Sequence, residues 1–299
     1  MSTPAVKNDT APAGRVTIFG PGLIGGSIAL ALRSRSPSTK ISAWARNEDA
    51  LHELTSRGLA DSVSTDPATA VKAADLIVLC TPVGSMEGLA RSMAPGLSAT
   101  AVITDAGSVK ACIVDQLTPI LGENYVGAHP MAGSERAGLG AAREDLFEGA
   151  SCLVTPSQES NQRALGKVRE FWGNLGCAVT IISPVEHDRL VARLSHLPHA
   201  LAYALINLVI DTLPEGSQHL AGGSFRDATR VAASNPELWT GILTSNGPEV
   251  AAALREMSKL LKSMATAIGD ENPDSLLDFL KRSKHHRDAL SLPRAERAA

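Results

Sequence analysis

The sequence predicts an α/β protein in which a doubly wound parallel-sheet domain is followed by an all-helical domain. Three observations predict this. Between Val16 and about Ile182, short apolar runs alternate with longer stretches of helical period, the pattern of parallel strands joined by crossover helices. The first apolar run passes straight into a glycine-rich turn, Gly20-Pro21-Gly22-Leu23-Ile24-Gly25, and then into an apolar helix. Beyond Pro184 the strand pattern stops and long amphipathic stretches replace it.

The elements can be justified in order. Seven strands are expected, VTIF (16–19), ISAW (41–44), LIVLC (76–80), AVIT (101–104), YVGA (125–128), SCLV (151–154) and AVTII (178–182), and a set of this kind makes a Rossmann-like domain. Helix punctuation agrees with the spacing. Asn47 precedes an acidic first turn at Glu48 and Asp49, and Gly58 follows the last turn, with similar stops at Gly122 and Gly176. Helices are then expected near 185–212, 219–233, 236–245, 248–268 and 273–284. The expected organisation is a flexible lead over 1–14, a dinucleotide-binding domain over 15–183, a helical substrate and dimerisation domain over 184–290, and a tail over 291–299 in which SLPRAERAA is polar enough to fray.

Composition narrows the class of partner. The 299 residues carry a formal net charge of −3 with basic residues scattered along the chain, so no stripe points to nucleic acid or a membrane surface and a small molecule is the expected partner. Cys80, Cys112, Cys152 and Cys177 lie far apart and form no C-x-x-C pair, which implies neither a disulfide framework nor structural zinc and suits a cytoplasmic protein. The first residues hold no apolar signal core, and the apolar stretch near Leu201 to Ile210 is too short to span a bilayer.

The G-x-G-x-x-G between strand and helix reads as a dinucleotide site. Gly20 permits the tight turn, Gly22 admits the pyrophosphate to the backbone, Gly25 allows close helix–sheet approach, and the helix start at Leu23 and Ile24 offers free N–H groups to the anion. At the end of the second strand, NAD sites usually place an acid on the ribose; here the run is Trp44-Ala45-Arg46-Asn47. With no carboxylate to repel a 2′-phosphate and a guanidinium to pair with it, NADP is favoured over NAD. Thr81 and Pro82, closing the third expected strand, should wall the nicotinamide side.

Two further strand ends are dense in polar residues, DAGSVK (105–110) and HPMAGSE (129–135). Active-site groups of open α/β folds gather at such ends. Together with GLIGGS (22–27) and SHLPH (195–199), in that order, and with FRDATR (225–230) and NPELW (235–239) beyond them, the chain resembles the prephenate/arogenate dehydrogenase family from about Val16 to about Leu280. It departs from that family in lacking the acid at Ala45, and no appended domain is expected.

The resemblance implies oxidative decarboxylation of prephenate to 4-hydroxyphenylpyruvate with hydride transfer to NAD(P), on the route to tyrosine, with arogenate dehydrogenation as the alternative. It implies that His129 contacts the substrate's ring hydroxyl, a task for which neutral imidazole suits. Taken alone, a histidine before proline is an ordinary turn residue. Ser108, otherwise a plain helix cap, is implied to hydrogen-bond near that hydroxyl or His129, and Arg230 to hold a carboxylate by paired donors rather than to sit in a surface pair with Asp227. His196, His199, Ser134 and Glu135 fall to the substrate pocket by the same resemblance, Glu135 as a gate or merely a loop cap. H-x-x-H at 196–199 has no companion carboxylate or thiol motif, so no metal is expected.

Two other readings follow from fold alone: a 3-hydroxyacid dehydrogenase, which would use a helical lysine where this chain has a strand-end histidine, and a non-catalytic NADPH sensor. Asn235, five residues after Arg230, is placed near the substrate's side chain, where its neutrality favours keto acid over ammonium. A homodimer through the helical domain is expected, since HALAYALINLVI (199–210) holds more apolar surface than one helical layer covers.

Overall fold

The computed structural model describes residues 14–270 and 272–290. The tail expected over 291–299 and all of the lead but Gly14 lie outside the described residues. The first part of the chain runs β1 (Arg15–Phe19), α1 (Leu23–Arg35), β2 (Lys40–Trp44), α2 (Glu48–Ser56), β3 (Ser62–Ser64), α3 (Pro67–Ala70), β4 (Leu76–Leu79), α4 (Val83–Met93), β5 (Val102–Asp105), α5 (Ala111–Leu121), β6 (Tyr125–Pro130), β7 (Ser151–Pro156), α6 (Gln162–Asn174) and β8 (Ala178–Ile181). It continues as α7 (Pro184–Val191), a π turn over Ala192–His196, α8 (Leu197–Thr212), α9 (Gly223–Thr229), α10 (Pro236–Ser245), α11 (Gly247–Gly269) and α12 (Pro273–Ala289).

The strands form one eight-stranded sheet in the order β3-β2-β1-β4-β5-β6-β7-β8. This differs from the expected seven parallel strands in two ways. β3 is an added edge strand of three residues, Ser62-Val63-Ser64, too short and polar to leave an apolar signature. β7 runs antiparallel to β6, with His129 opposite Leu153, and β8 then follows β7 in parallel. The cause lies in the connections. A parallel neighbour needs a crossover of a dozen or more residues, usually helical; α6 supplies one between β7 and β8, whereas the 131–150 segment before β7 contains only a 3₁₀ turn at Leu139–Ala141.

Strand alternation sorts the core into two layers. Leu76 and Val78 of β4 join one cluster with Ile28, Phe147 and Trp172, while Ile77 and Leu79 join the other with Met86, Ile113 and Trp239. In β6, Val126 and Ala128 belong to the first layer and Tyr125 to the second. The two-residue period therefore turns His129 towards the second layer, where Trp239 and Ile242 of α10 are buried.

Asn47 caps α2 by accepting from Asp49 N–H, and Gly58, Gly122 and Gly176 take positive φ of 67°, 67° and 104° after helix ends. α7 opens on a reciprocal capping box between Ser183 and Glu186. The chain divides into two compact units, the first extending to Val250 and the second from Ala251. The second unit consists of the remainder of α11 and α12, and among its residues Leu260, Leu261, Ile268, Leu277 and Leu280 are exposed. His285 and His286, expected near a tail, lie in the last turns of α12.

Candidate active site

The strand order reverses between β2–β1 and β4, the switch point at which open α/β sheets bind ligands. Gly20 there has φ of +86° and donates its N–H to the Trp44 carbonyl at 3.0 Å. A Cβ at Gly25 would stand 2.3 Å from the Gly20 carbonyl oxygen, so helix α1 can pack this closely only with glycine. Gly22 is different, because a Cβ there would meet nothing within 4 Å. It is the N-cap of α1 and offers no side-chain cap, which leaves the first-turn N–H groups of Leu23, Ile24 and Gly25 facing an open cradle suited to a phosphate. Beside the loop, Thr81 Oγ1 is buried with no hydrogen-bond partner, and Pro82 caps α4. These features fit a dinucleotide. Arg46 is exposed in the β2–α2 turn and makes no ion pair among the described residues, while Ala45 is buried.

Further along the same strand ends lies a buried polar cluster. β5 ends in Asp105, whose carboxylate accepts from Tyr125 Oη–H at 3.0 Å, Ala128 N–H at 3.2 Å and Gly107 N–H at 2.8 Å, and pairs with the fully buried Lys110 ammonium. Lys110 Nζ also donates to the Ala128 carbonyl at 2.9 Å. This pair clamps the β5–α5 turn against β6. α5 begins at Ala111 with Lys110 as its N-cap, so Ser108 is not a helix cap; it is half-buried inside the clamped turn.

His129 Nδ1 lies 2.9 Å from His187 Nε2, and His187 Nδ1 lies 2.8 Å from Asp188 Oδ1. Asp188 accepts further from the Lys110 and Ala111 N–H groups at 2.7 and 2.9 Å. His187 is fully buried, whereas His129 keeps 8% of its surface exposed and is the more accessible residue of the two. Burial pushes the His129 pKa well below its ordinary value, reinforced by His187, Lys110 and His196, and this holds the imidazole neutral at pH 7.

His196, the last residue of the π turn, is fully buried, and burial lowers its pKa to about 4. Asn246 Nδ2 donates to the Asp188 carbonyl at 2.8 Å, which orients the amide, and the same nitrogen faces His196 Nδ1 at 3.2 Å. Nδ1 therefore accepts and Nε2 carries the hydrogen, a buried donor beside the Ser108 backbone without a well-formed hydrogen bond.

A second, more open group lies across Trp239. Its ring stacks on His199 with centroids 3.6 Å apart and meets His196 edge-on at 6.1 Å. His199 Nδ1 donates to the Ser195 carbonyl at 3.0 Å, and the neighbouring Arg230 charge helps burial depress its pKa. Arg230 pairs with Glu135 at 3.1 Å, not with Asp227. α9 ends at Thr229, so Arg230 opens a separate 3₁₀ turn and does not continue the helix of Arg226.

Ser134 is exposed and closes a local turn, accepting from Arg136 N–H at 3.1 Å. Asn235 caps α10, its side-chain oxygen accepting from Leu238 N–H at 2.7 Å.

Residues 28–181 match the family model described as prephenate dehydrogenase, nucleotide-binding domain, and residues 183–282 match prephenate dehydrogenase, dimerization domain. The chain belongs to the prephenate dehydrogenase family. It is 36% identical to the cyclohexadienyl dehydrogenase of Zymomonas mobilis, covering 92% of this chain and 95% of that one. It is 32% identical to the prephenate dehydrogenase of Bacillus subtilis, covering 93% and 76% respectively. Among solved structures, prephenate dehydrogenase from Aquifex aeolicus in complex with hydroxyphenyl propionate and NAD+ superposes with a TM-score of 0.87 at 33% identity, covering 91% of this chain and 96% of that one. Synechocystis arogenate dehydrogenase gives a TM-score of 0.79 at 30% identity, covering 92% and 99%.

As a member of the prephenate dehydrogenase family, the chain is an oxidoreductase with a nucleotide-binding domain. Sequence reasoning missed the polar residues behind the candidate site. His187 and Asp188 sit in the first turns of α7, and the one signal available was an E-H-D run one residue after the Ser183-Pro184 helix start. Asn246, 58 residues from Asp188 along the chain, left no signal at all. Among the described residues no helix is long and apolar enough to cross a membrane.

Proposed function

We propose that this chain oxidises prephenate with NAD(P), releasing carbon dioxide and 4-hydroxyphenylpyruvate on the route to tyrosine, with arogenate as the alternative substrate. The observation that carries the reading is His129. Its ring is neutral, the residue keeps 8% of its surface exposed, and it is placed at a strand end in the same row as the Gly20–Gly25 cradle. A bound NAD(P) supplies the hydride acceptor. His129 takes the proton of the ring hydroxyl as hydride leaves that carbon. The dienone so formed accepts the electron pair of the bond to the departing carboxylate, and His129 returns the proton to the same oxygen as the ring becomes aromatic. Ser108, in the clamped turn, is the partner we assign to the hydroxyl.

Arg230 holds a carboxylate in this reading, and its present partner Glu135 marks the anion position that the substrate would take over. His196 and His199 frame the pocket around Trp239. Ser134 is the weakest member of the set, being exposed and turned towards Arg136. The lysine of the candidate site, Lys110, precedes α5 and is buried against Asp105, which is not the arrangement the helical-lysine chemistry of 3-hydroxyacid oxidation would use.

NADP is the favoured cofactor, through Arg46. Residues 15–183 then form the dinucleotide-binding domain and 184–290 the substrate and dimerisation domain. A homodimer is supported by α8, in which Ala202 is buried while Leu208 and Ile210 are 61% and 49% exposed. Four free cysteines suit a reducing cytoplasm. Initial rates with prephenate and arogenate, each with NAD and NADP, test the substrate and the cofactor together; turnover of neither acid would overturn the reading.

A further inference from the structure

The direction of every proton in the buried chain behind His129 can be worked out from one end. Asp188 accepts from two backbone N–H groups, Lys110 at 2.7 Å and Ala111 at 2.9 Å, and its pKa is lowered, so it is a carboxylate and an acceptor only. His187 Nδ1, 2.8 Å from it, must therefore carry a hydrogen and donate. Burial keeps His187 neutral, so its Nε2 has a lone pair. His129 Nδ1, 2.9 Å from that lone pair, must donate in turn. A neutral imidazole has one N–H, and His129 has spent it facing inward.

We propose that the Asp188–His187 pair is a positioning relay that fixes His129 as its Nδ1–H tautomer and so leaves Nε2 bare to accept the substrate's hydroxyl proton. This rests on the reading of His129 as the proton acceptor. The relay has a second effect once the proton arrives. The new imidazolium is buried, and its inward hydrogen bond runs through His187 to a carboxylate. The other charged groups facing the pair do not replace that carboxylate, because Asp105 is already matched by Lys110 and His196 is neutral. The far end of the relay is held from three sides, by the β5–α5 turn, by α7 itself and by Asn246.

The first test needs no mutation. In the full-length chain labelled with 15N-histidine at pH 7.5, with His129→Asn used for assignment, the His129 signals should show a protonated Nδ1 and an unprotonated Nε2. The opposite tautomer would overturn the relay outright. In His187→Leu, His129 should become a mixture of tautomers, and turnover with prephenate should fall on the order of 100-fold while KM and cofactor Kd stay within a few-fold.

His187→Gln can accept from His129 through its carbonyl and donate to Asp188 through its amide, and should recover about tenfold of that loss. A purely structural His187 would give Leu and Gln variants whose rates simply follow their stability, with the His129 tautomer unchanged, and that result refutes the relay while leaving the assigned reaction standing. If His187→Leu fails to fold, the wild-type spectrum and the Gln variant decide. Absence of turnover in the wild type would count against the assigned reaction and would not touch the spectrum.

Discussion

Gly22 and Gly25 belong to one motif, yet replacing each by alanine should damage different properties. At Gly25 the new methyl would lie 2.3 Å from the Gly20 carbonyl oxygen and 2.9 Å from Ile18 Cγ2. The oxygen cannot move aside cheaply. Gly20 is held in its turn by an N–H bond to Trp44 O, and its own carbonyl accepts from Gly22 N–H at 2.9 Å. Overpacking of this kind costs about 1–3 kcal/mol or more, against a gain of roughly 1 kcal/mol from replacing a helical glycine. A net loss of about 2 kcal/mol lowers Tm by roughly 4–8 °C.

At Gly22 the methyl has open space, and the backbone at φ −86° and ψ −152° is available to alanine. Its Tm should fall by no more than about 2–4 °C, since exchange of glycine for alanine at an N-cap costs up to about 1 kcal/mol. The same methyl occupies the approach of a pyrophosphate, so affinity for NAD and NADP should fall on the order of tenfold, or about 1.4 kcal/mol. Thermal unfolding without cofactor and titration calorimetry with each nucleotide check both. A Gly22→Ala chain that binds normally, or a Gly25→Ala chain as stable as wild type, refutes the assignment of cradle and contact.

Three further outcomes are expected. His129→Asn should lower turnover about 100- to 10,000-fold with KM within a few-fold, and because burial depresses the His129 pKa, the wild-type acid limb of kcat/KM should lie below pH 6.5 and vanish from the variant's residual rate. Arg46→Ala should weaken NADP by about 1.5–3 kcal/mol and NAD hardly at all, as read by calorimetry; equal losses would remove Arg46 from the site. Stability should fall in acid. His196 titrates near 6.5 unfolded and about 4 folded, so the unfolded chain gains its proton first, and about 3 kcal/mol disappears progressively from pH 6.5 to 4. A urea midpoint that stays flat from pH 7 to 5 would contradict this.

The features legible in the sequence were those with local causes. The cradle, the Asn47 cap and the glycine stops depend on neighbours within a few residues, and each left its mark as a motif. β3 went unseen because an edge strand of three residues needs no apolar face. The reversal at β7 was missed because strand residues look alike in either direction; the clue was the lack of a helical period between 131 and 150. The site divides the same way. His129 stood out by its motif, whereas its partners His187, Asp188 and Asn246 are brought to it by tertiary packing across separations of 58 or more residues. Arg230 was visible through its motif, but its ion-pair partner Glu135 lies 95 residues away, beyond the reach of any local pattern.

The π turn at Ala192–His196 carries a consequence for how this chain tolerates change in length. A regular α-helix advances about 100° per residue, so eight steps from Asp188 would leave His196 about 80° round the helix from it, out of line with a single bridging amide. A π turn absorbs one surplus residue. His196 then stands where the seventh residue of an unbroken helix would, about 20° from Asp188, and Asn246 spans both. The surplus residue is a ready-made vacancy in the genetic sense: deleting one residue among Arg193, Leu194 and Ser195 should close the turn into ordinary α-helix and keep both faces aligned. The same deletion one turn into α8 would swing everything beyond it by about 100°. Length variants of α7–α8 that survive selection for activity should therefore concentrate at this one turn.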